Sequence, residues 1–288
     1  VGAHLVRALA SCGATVIPVT RKNGKNDVSE REVLESFFQK NPEVIFHLAG
    51  EALVEKGQSA PYDTFRTNFM GTLNVLELSR VCRVSRVVIA STAHVYGEGR
   101  PPFYEDDPPR PSRPYEPSKT ATDLLAQSYA DSFRLPVVIP RFVNIYGPGD
   151  TNFTRLIPKT LQYMLQKKPV PMWGGQAKRE YLYINDAVEA YLMLGALSDA
   201  KFERNRIFNF GAGKPVAVQD LIKTIGKLIN EDIVIVKEKK EREGEITDQY
   251  VSWEKASRVL GWKPWVSLDE GLRRTIAWYR DYLYTTTL

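Results

Sequence analysis

Two cysteines in 288 residues, Cys12 and Cys82, are too few for a disulfide framework and stand in no metal-ligand spacing. That suits a reducing compartment, and no metal site is expected. No apolar run approaches the roughly 18 residues of a membrane span and no secretory signal pattern is present, so a cytoplasmic protein without a membrane partner is expected. Internal repeats, low-complexity tracts and single-sign charge blocks are missing as well. The net charge of +5 comes from Lys and Arg scattered among acids, and the densest basic run, Lys237 to Arg242, also holds Glu238 and Glu241. Such a run reads as solvated surface, not a nucleic-acid patch. An initiator Met is absent too. The chain opens on Val1-Gly2-Ala3-His4-Leu5, a periodic apolar stretch that reads as the inside of a helix, so something upstream is expected.

What is present, with 43% hydrophobic and 25% charged residues, suffices for a large core or two coupled domains. Residues 2 to 12 read as a helix ending at Gly13, followed by a β-rich run over Ala14 to Val19. A helix from Ser29 to about Gln39, a strand over Glu43 to Gly50 and a long helix from about Tyr62 to Val81 come next. A strand over Arg86 to Thr92, a Pro-rich loop to Pro114, a helix from about Glu116 to Phe133 and a strand over Pro136 to Phe142 complete a regular alternation. Continuous apolar strands alternating with helices imply a parallel sheet covered on both faces, a doubly wound α/β fold whose ligands bind beyond the strands' carboxyl ends. Thr20 and Arg21, His47 to Gly50, Ser91 and Thr92, and Arg141 to Asn144 all fall at such ends and are expected to line one crevice.

Beyond Tyr146 the pattern is less regular. Helices are expected over about Phe153 to Gln166, from Asp186 to about Leu197 and over about Val218 to Ile229, with a turn at Gly174-Gly175. Strands are expected over Arg206 to Gly213 and Asp232 to Lys237, and two short helices end near Tyr282. The expected division is a dinucleotide-binding domain over 1–146 and a second lobe over 147–288, with about 181–211 returning to the first.

Tyr115 and Lys119 share one helical face at a spacing of four, and a cation near a phenol favours the phenolate, so the pair is a candidate proton-transfer centre. Taken alone, the spacing is equally that of an exposed aromatic beside a solvated Lys. Around it stand Val44 to Gly50, Asn68 to Leu76, Ala90 to Gly97, Arg141 to Gly149, Arg179 to Asp186, Asn209 to Gly213 and Leu260 to Pro264. In this order the stretches resemble the extended short-chain dehydrogenase/reductases, specifically the NAD(P)-dependent nucleotide-sugar epimerases and dehydratases.

The resemblance implies a Rossmann-type domain with a seven-stranded parallel sheet and a smaller C-terminal lobe that holds a nucleotide-diphosphate sugar. It also implies a first strand and glycine-rich turn that the given chain lacks, with Gly2 similar to the last glycine of that turn. By the same resemblance Tyr115 is the catalytic acid/base, Lys119 lowers its pKa and holds the nicotinamide ribose, and Thr92 hydrogen-bonds the reacting hydroxyl. Cofactor contacts are implied for Gly2, Thr20, Arg21, Asp27, Leu48, Ala49, Gly50, Asn68, Ala90, Ser91, Tyr115 and Lys119. Substrate contacts are implied for His94, Asn144, Arg179 and Arg242, and a homodimer through the helices around Tyr62 to Val81 and Glu116 to Phe133.

Two departures bear on the reaction. Dehydratases of this kind usually carry an Asp followed by Glu or Lys after the Ser/Thr, an acid/base pair for eliminating water, whereas here Ala93 and His94 follow Thr92. The expected reaction is therefore 4-epimerisation, with a 4,6-dehydratase, an NADP-dependent 4-ketoreductase and a non-catalytic dinucleotide or sugar-nucleotide sensor as alternatives. Thr20 followed by Arg21 stands where NAD-specific members end a strand in Asp, which makes NADP as well as NAD an expected cofactor.

Overall fold

The computed structural model describes residues 1–21, 26–172, 175–198, 206–230, 234–237 and 246–286. In chain order the first part holds α1 (Gly2–Ser11), α2 (Arg31–Phe38), β1 (Val44–His47), α3 (Val54–Ser59), α4 (Pro61–Phe65), a π-helical turn over Arg66–Met70 and α5 (Gly71–Val81). β2 (Arg86–Ile89), β3 (Ser91–Thr92), α6 (Tyr115–Phe133) and β4 (Val137–Phe142) follow. β1 pairs with β2 and β2 with β4, β3 continues beside β4, and every ladder is parallel.

The strands are apolar throughout because both faces are covered. Val88 and Val138 point into a core shared with α1 and the later helices, while Val87, Ile89, Val137 and Ile139 point into a second core shared with α2, α5 and α6. The period of two along each strand divides one apolar run between two layers.

The second part holds β5 (Asn144–Tyr146), α7 (Leu156–Leu165), β6 (Val170–Met172), β7 (Lys178–Arg179), β8 (Tyr181–Tyr183) and α8 (Ile184–Gly195). β9 (Ile207–Phe210), β10 (Val216–Ala217), α9 (Val218–Ile229), β11 (Ile235–Lys237), β12 (Asp248–Gln249), α10 (Glu254–Leu260) and α11 (Leu268–Thr286) complete it. β9 returns to the main sheet as a parallel neighbour of β4, and β5 pairs with β8. Trp262 is fully buried in this half, and its indole donates to the Asp186 carbonyl at 3.1 Å.

Several expectations are corrected. The main sheet has five strands among the described residues, not seven. The run from Ala14 to Val19 forms no strand, because no described segment supplies a ladder partner, and Ile17 is left exposed. The helix expected from Tyr62 to Val81 is interrupted by the π-turn, and α3 precedes it unannounced. The last helix runs 19 residues, its buried stripe of Leu272, Ile276 and Tyr279 masked in sequence by the polar residues between. Gly174 and the start of the strand expected at Asp232 lie outside the described residues. No helix among the described residues is long and apolar enough to cross a membrane.

Candidate active site

The loop before α6 is folded back by Glu116, whose Oε2 accepts from the Ser112 amide and hydroxyl at 2.8 and 2.9 Å and from the Arg113 amide at 3.2 Å. That anchor fixes where α6 begins and so where Tyr115 stands. Gly57 of α3 lies directly against it: a Cβ there would sit 2.8 Å from the Tyr115 Cβ and 2.9 Å from its backbone nitrogen. One turn on, the Lys119 ammonium donates to the Ala90 carbonyl at 2.6 Å, and the Tyr115 phenol is hydrogen-bonded to the Thr92 hydroxyl. Thr92 also accepts from the His94 amide at 3.2 Å, which starts the short 3-10 turn after β3. The expected proton-transfer set is therefore assembled at the carboxyl end of the sheet.

Burial pushes Tyr115 up to about 12, opposed by its Thr92 hydrogen bond and by the Arg155 guanidinium, while Glu116 and Glu51 reinforce the rise. The resting side chain is a phenol at neutral pH. The groups that oppose the rise are Thr92 and Arg155, the latter at the start of α7. Burial brings Lys119 down to about 8, with Asp123 opposing. His94 packs edge-on to Tyr115 with ring centroids 5.9 Å apart, and its Nδ1 is buried without a partner. Burial lowers its pKa to about 4, against the pull of Glu116 and aided by Arg179 and Arg113, so the imidazole is neutral.

The remaining predicted residues divide. Leu48, Ala49 and Gly50 form an accessible loop after β1, and no side chain caps the first turn of α1 at Gly2. Thr20 is exposed and its carbonyl accepts from Asn26, while Arg21 stands 3.5 Å from Asp27. Asp27 also takes the Ser29 amide and hydroxyl at 3.0 and 2.8 Å, so it shapes the turn before α2.

Asn68 is engaged wholly by protein: Oδ1 accepts from the Glu51 amide at 2.7 Å and Nδ2 donates to the Glu51 carbonyl and the Ser118 hydroxyl. Ser91 turns inward to Asp123, and Asn144 donates to the Glu180 carbonyl at 3.2 Å. Arg179 borders His94, but its guanidinium donates to the carbonyls of Lys178, Ile246 and Thr247 and so fixes the adjoining segment. Arg242 lies outside the described residues. His47 and Arg141, expected at the crevice, are both buried: His47 meets Thr72 and Arg141 meets Asp123.

Sequence reasoning missed Gly57, Arg155, Glu116 and Asp123. The only signal for Asp123 is its place four residues after Lys119, and Arg155 has none, since its charge acts on Tyr115 from a residue 40 positions further along the chain.

The donor set fits the nicotinamide end of a dinucleotide: a buried ammonium and phenol on one helix face, with an open loop after β1 at the same end of the sheet. Among the described residues no group of three His, Cys, Asp or Glu side chains could hold a metal ion.

The sequence model of the NAD dependent epimerase/dehydratase family matches residues 1–211. The chain is 30% identical over 283 residues to a dTDP-glucose 4,6-dehydratase of Haemophilus influenzae, covering 88% of this chain and 81% of that protein. It is 29% identical over 266 residues to a UDP-glucuronate 4-epimerase of Thermodesulfobacterium geofontis, covering 88% and 78%. Among solved structures it matches the UDP-glucose 4-epimerase of Thermotoga maritima with UDP-glucose at a TM-score of 0.87 and 28% identity, over 98% of this chain and 96% of that one.

Proposed function

The chain belongs to the NAD dependent epimerase/dehydratase family, and on that premise we propose that it epimerises carbon 4 of a nucleotide-diphosphate sugar through a keto intermediate. The dinucleotide binds the domain over 1–146 and the sugar nucleotide the lobe over 147–288. When bound, the nicotinamide supplies the hydride acceptor and returns the hydride. The protein's own part is proton management: Tyr115 acts once its phenol has released its proton to solvent, the phenolate then accepts the carbon 4 hydroxyl proton through a contact shared with Thr92, and Tyr115 returns that proton to the keto oxygen after the sugar has turned. Thr92 and Arg155 favour the phenolate that accepts, and Lys119 holds the strand end beside it. Arg21 is available to either form of the cofactor, and NAD is the form proposed.

One observation supports epimerisation over dehydration. Elimination of water needs a free acid and base beside the keto sugar. The methyl of Ala93 is buried after Thr92, and both carboxylates that influence Tyr115 are engaged: Glu116 with Ser112 and Arg113, Glu51 with Lys56 at 2.7 Å and the amides of Ala52 and Leu53. The dehydratase relative favours the second reading, in which His94 serves as the base. Incubation of the full-length protein with UDP- and dTDP-hexoses, followed by NMR of the products, tests the choice. An inverted carbon 4 supports the proposal, and a 4-keto-6-deoxy product contradicts it.

A homodimer is proposed through α4, the π-helical turn, α5 and α6, where Tyr62, Met70, Val81, Leu124 and Phe133 leave apolar surface in solvent.

A further inference from the structure

Behind the proton-transfer residues lies a sealed ionic layer. Asp123 stands one helical turn beyond Lys119 and two beyond Tyr115, with its side chain 1% exposed. Its carboxylate receives Arg141 Nε and Nη2 at 2.9 Å each, the Ser91 hydroxyl at 2.6 Å and the Gln127 amide at 2.7 Å. Arg141, 2% exposed, sends Nη1 to the Tyr96 hydroxyl at 2.9 Å and the Glu105 carbonyl at 3.1 Å. A buried ion pair is weak support for stability, because two charges have left water and well-packed apolar residues would fill the space as well. An apolar pair would lack two consequences of this one.

The first consequence is register. Ala90, Ser91 and Thr92 are consecutive, and each is tied to α6: Ala90 through its carbonyl to Lys119, Ser91 through its hydroxyl to Asp123, and Thr92 through its hydroxyl to Tyr115. The Ser91 tie is the one made by a charged, fully satisfied acceptor. The second is charge. The titratable groups that act on or feel the Lys119 ammonium among the described residues are Asp123 from its own helix and His47 from β1, while Arg141 of β4 is paired with Asp123. His47 is held neutral by burial, with its pKa at about 3. Asp123 is therefore the negative charge that opposes the loss of the Lys119 proton.

We propose that Asp123, clamped by Arg141, is a positioning residue for the proton-transfer centre: it locks Ser91, and with it Thr92, against α6, and it sets a buried carboxylate one helical turn from Lys119. The proposal rests on the reading that Thr92, Tyr115 and Lys119 carry the reaction.

The test is an NMR titration of the lysine side chains in the full-length protein, labelled with 13C and assigned through Lys119→Met. Asp123→Asn alone strands Arg141, so the double variant Asp123→Asn with Arg141→Gln is titrated as well, both sites then being neutral and able to pair. In the folded double variant the Lys119 midpoint is expected to move about one pH unit or more to the acid side. Ser91→Ala keeps the ion pair, so its Lys119 midpoint is expected to stay in place while turnover falls roughly tenfold. An unmoved Lys119 midpoint in the folded double variant, or full turnover in Ser91→Ala, overturns the proposal. A shifted midpoint in a protein that turns over no nucleotide sugar supports the clamp and removes only the proposed activity.

Discussion

The Lys119 ammonium donates to the carbonyl of Ala90 at 2.6 Å, two residues before Thr92. Lys119 is thus a strut between helix and strand as well as a charge beside the phenol. With its pKa near 8, it carries its proton at neutral pH and loses it in mildly alkaline solution. Turnover is expected to fall as pH rises through about 8, and Lys119→Arg, whose guanidinium keeps its proton, should move that limb upward. A pH profile of kcat for both proteins measures this. An identical alkaline limb in the two would remove Lys119 from the account.

Tyr115→Phe removes the proton carrier and little else, since the ring stays packed edge-on to His94. Turnover should fall by about a hundredfold to ten-thousandfold while the dissociation constant for nucleotide sugar changes only a few-fold. Steady-state kinetics with calorimetric binding separates the two quantities.

Gly57 is expected to reject any side chain. The atoms that a Cβ would meet at 2.8 and 2.9 Å are the Tyr115 Cβ and backbone nitrogen, neither of which is the end of a flexible chain. Gly57→Ala should cost about 1–3 kcal/mol of stability and lower kcat by displacing the phenol. Urea unfolding and kinetics report the two effects.

His94 gives a stability signature at low pH. Its folded pKa, about 4, lies below the 6.5 of a free imidazole, so below about 6.5 the unfolded chain takes the proton first and the folded state loses stability as pH falls toward 4. Relative to His94→Gln, the wild type should lose about 1 kcal/mol of unfolding free energy per pH unit across that window. Parallel slopes for the two proteins would show that His94 titrates normally.

The proposed dimer face is tested by Leu124→Asp, which places a charge on exposed apolar surface of α6. Sedimentation should show a shift from dimer to monomer with the fold unchanged by circular dichroism.

The elements that sequence made legible are those whose burial is local. α9 and β4 are legible to within a residue or so because each carries a clear apolar pattern, whereas the buried face of α6 is largely polar, with Glu116, Ser118, Thr122 and Asp123. The run from Ala14 to Val19 has the composition of a strand, but a strand exists only through its partner, and pairing is not encoded in the run itself. The site divides in the same way. Tyr115, Lys119 and Thr92 were visible through spacing and order along the chain. Arg155, Gly57 and Asp123 act on them across the fold, and their roles appear only when the distances do. Asn68 and Ser91 show the reverse: polar residues at site positions whose side chains the structure commits to protein partners.

The most direct test follows the hydrogen on carbon 4. A nucleotide hexose deuterated at that carbon is incubated with the full-length protein and the label is located by NMR. The account predicts that the deuterium returns to carbon 4 of a sugar inverted at that centre, because among the described residues both carboxylates that influence Tyr115 are engaged by protein partners. Deuterium recovered at carbon 6 of a 6-deoxy sugar would contradict it.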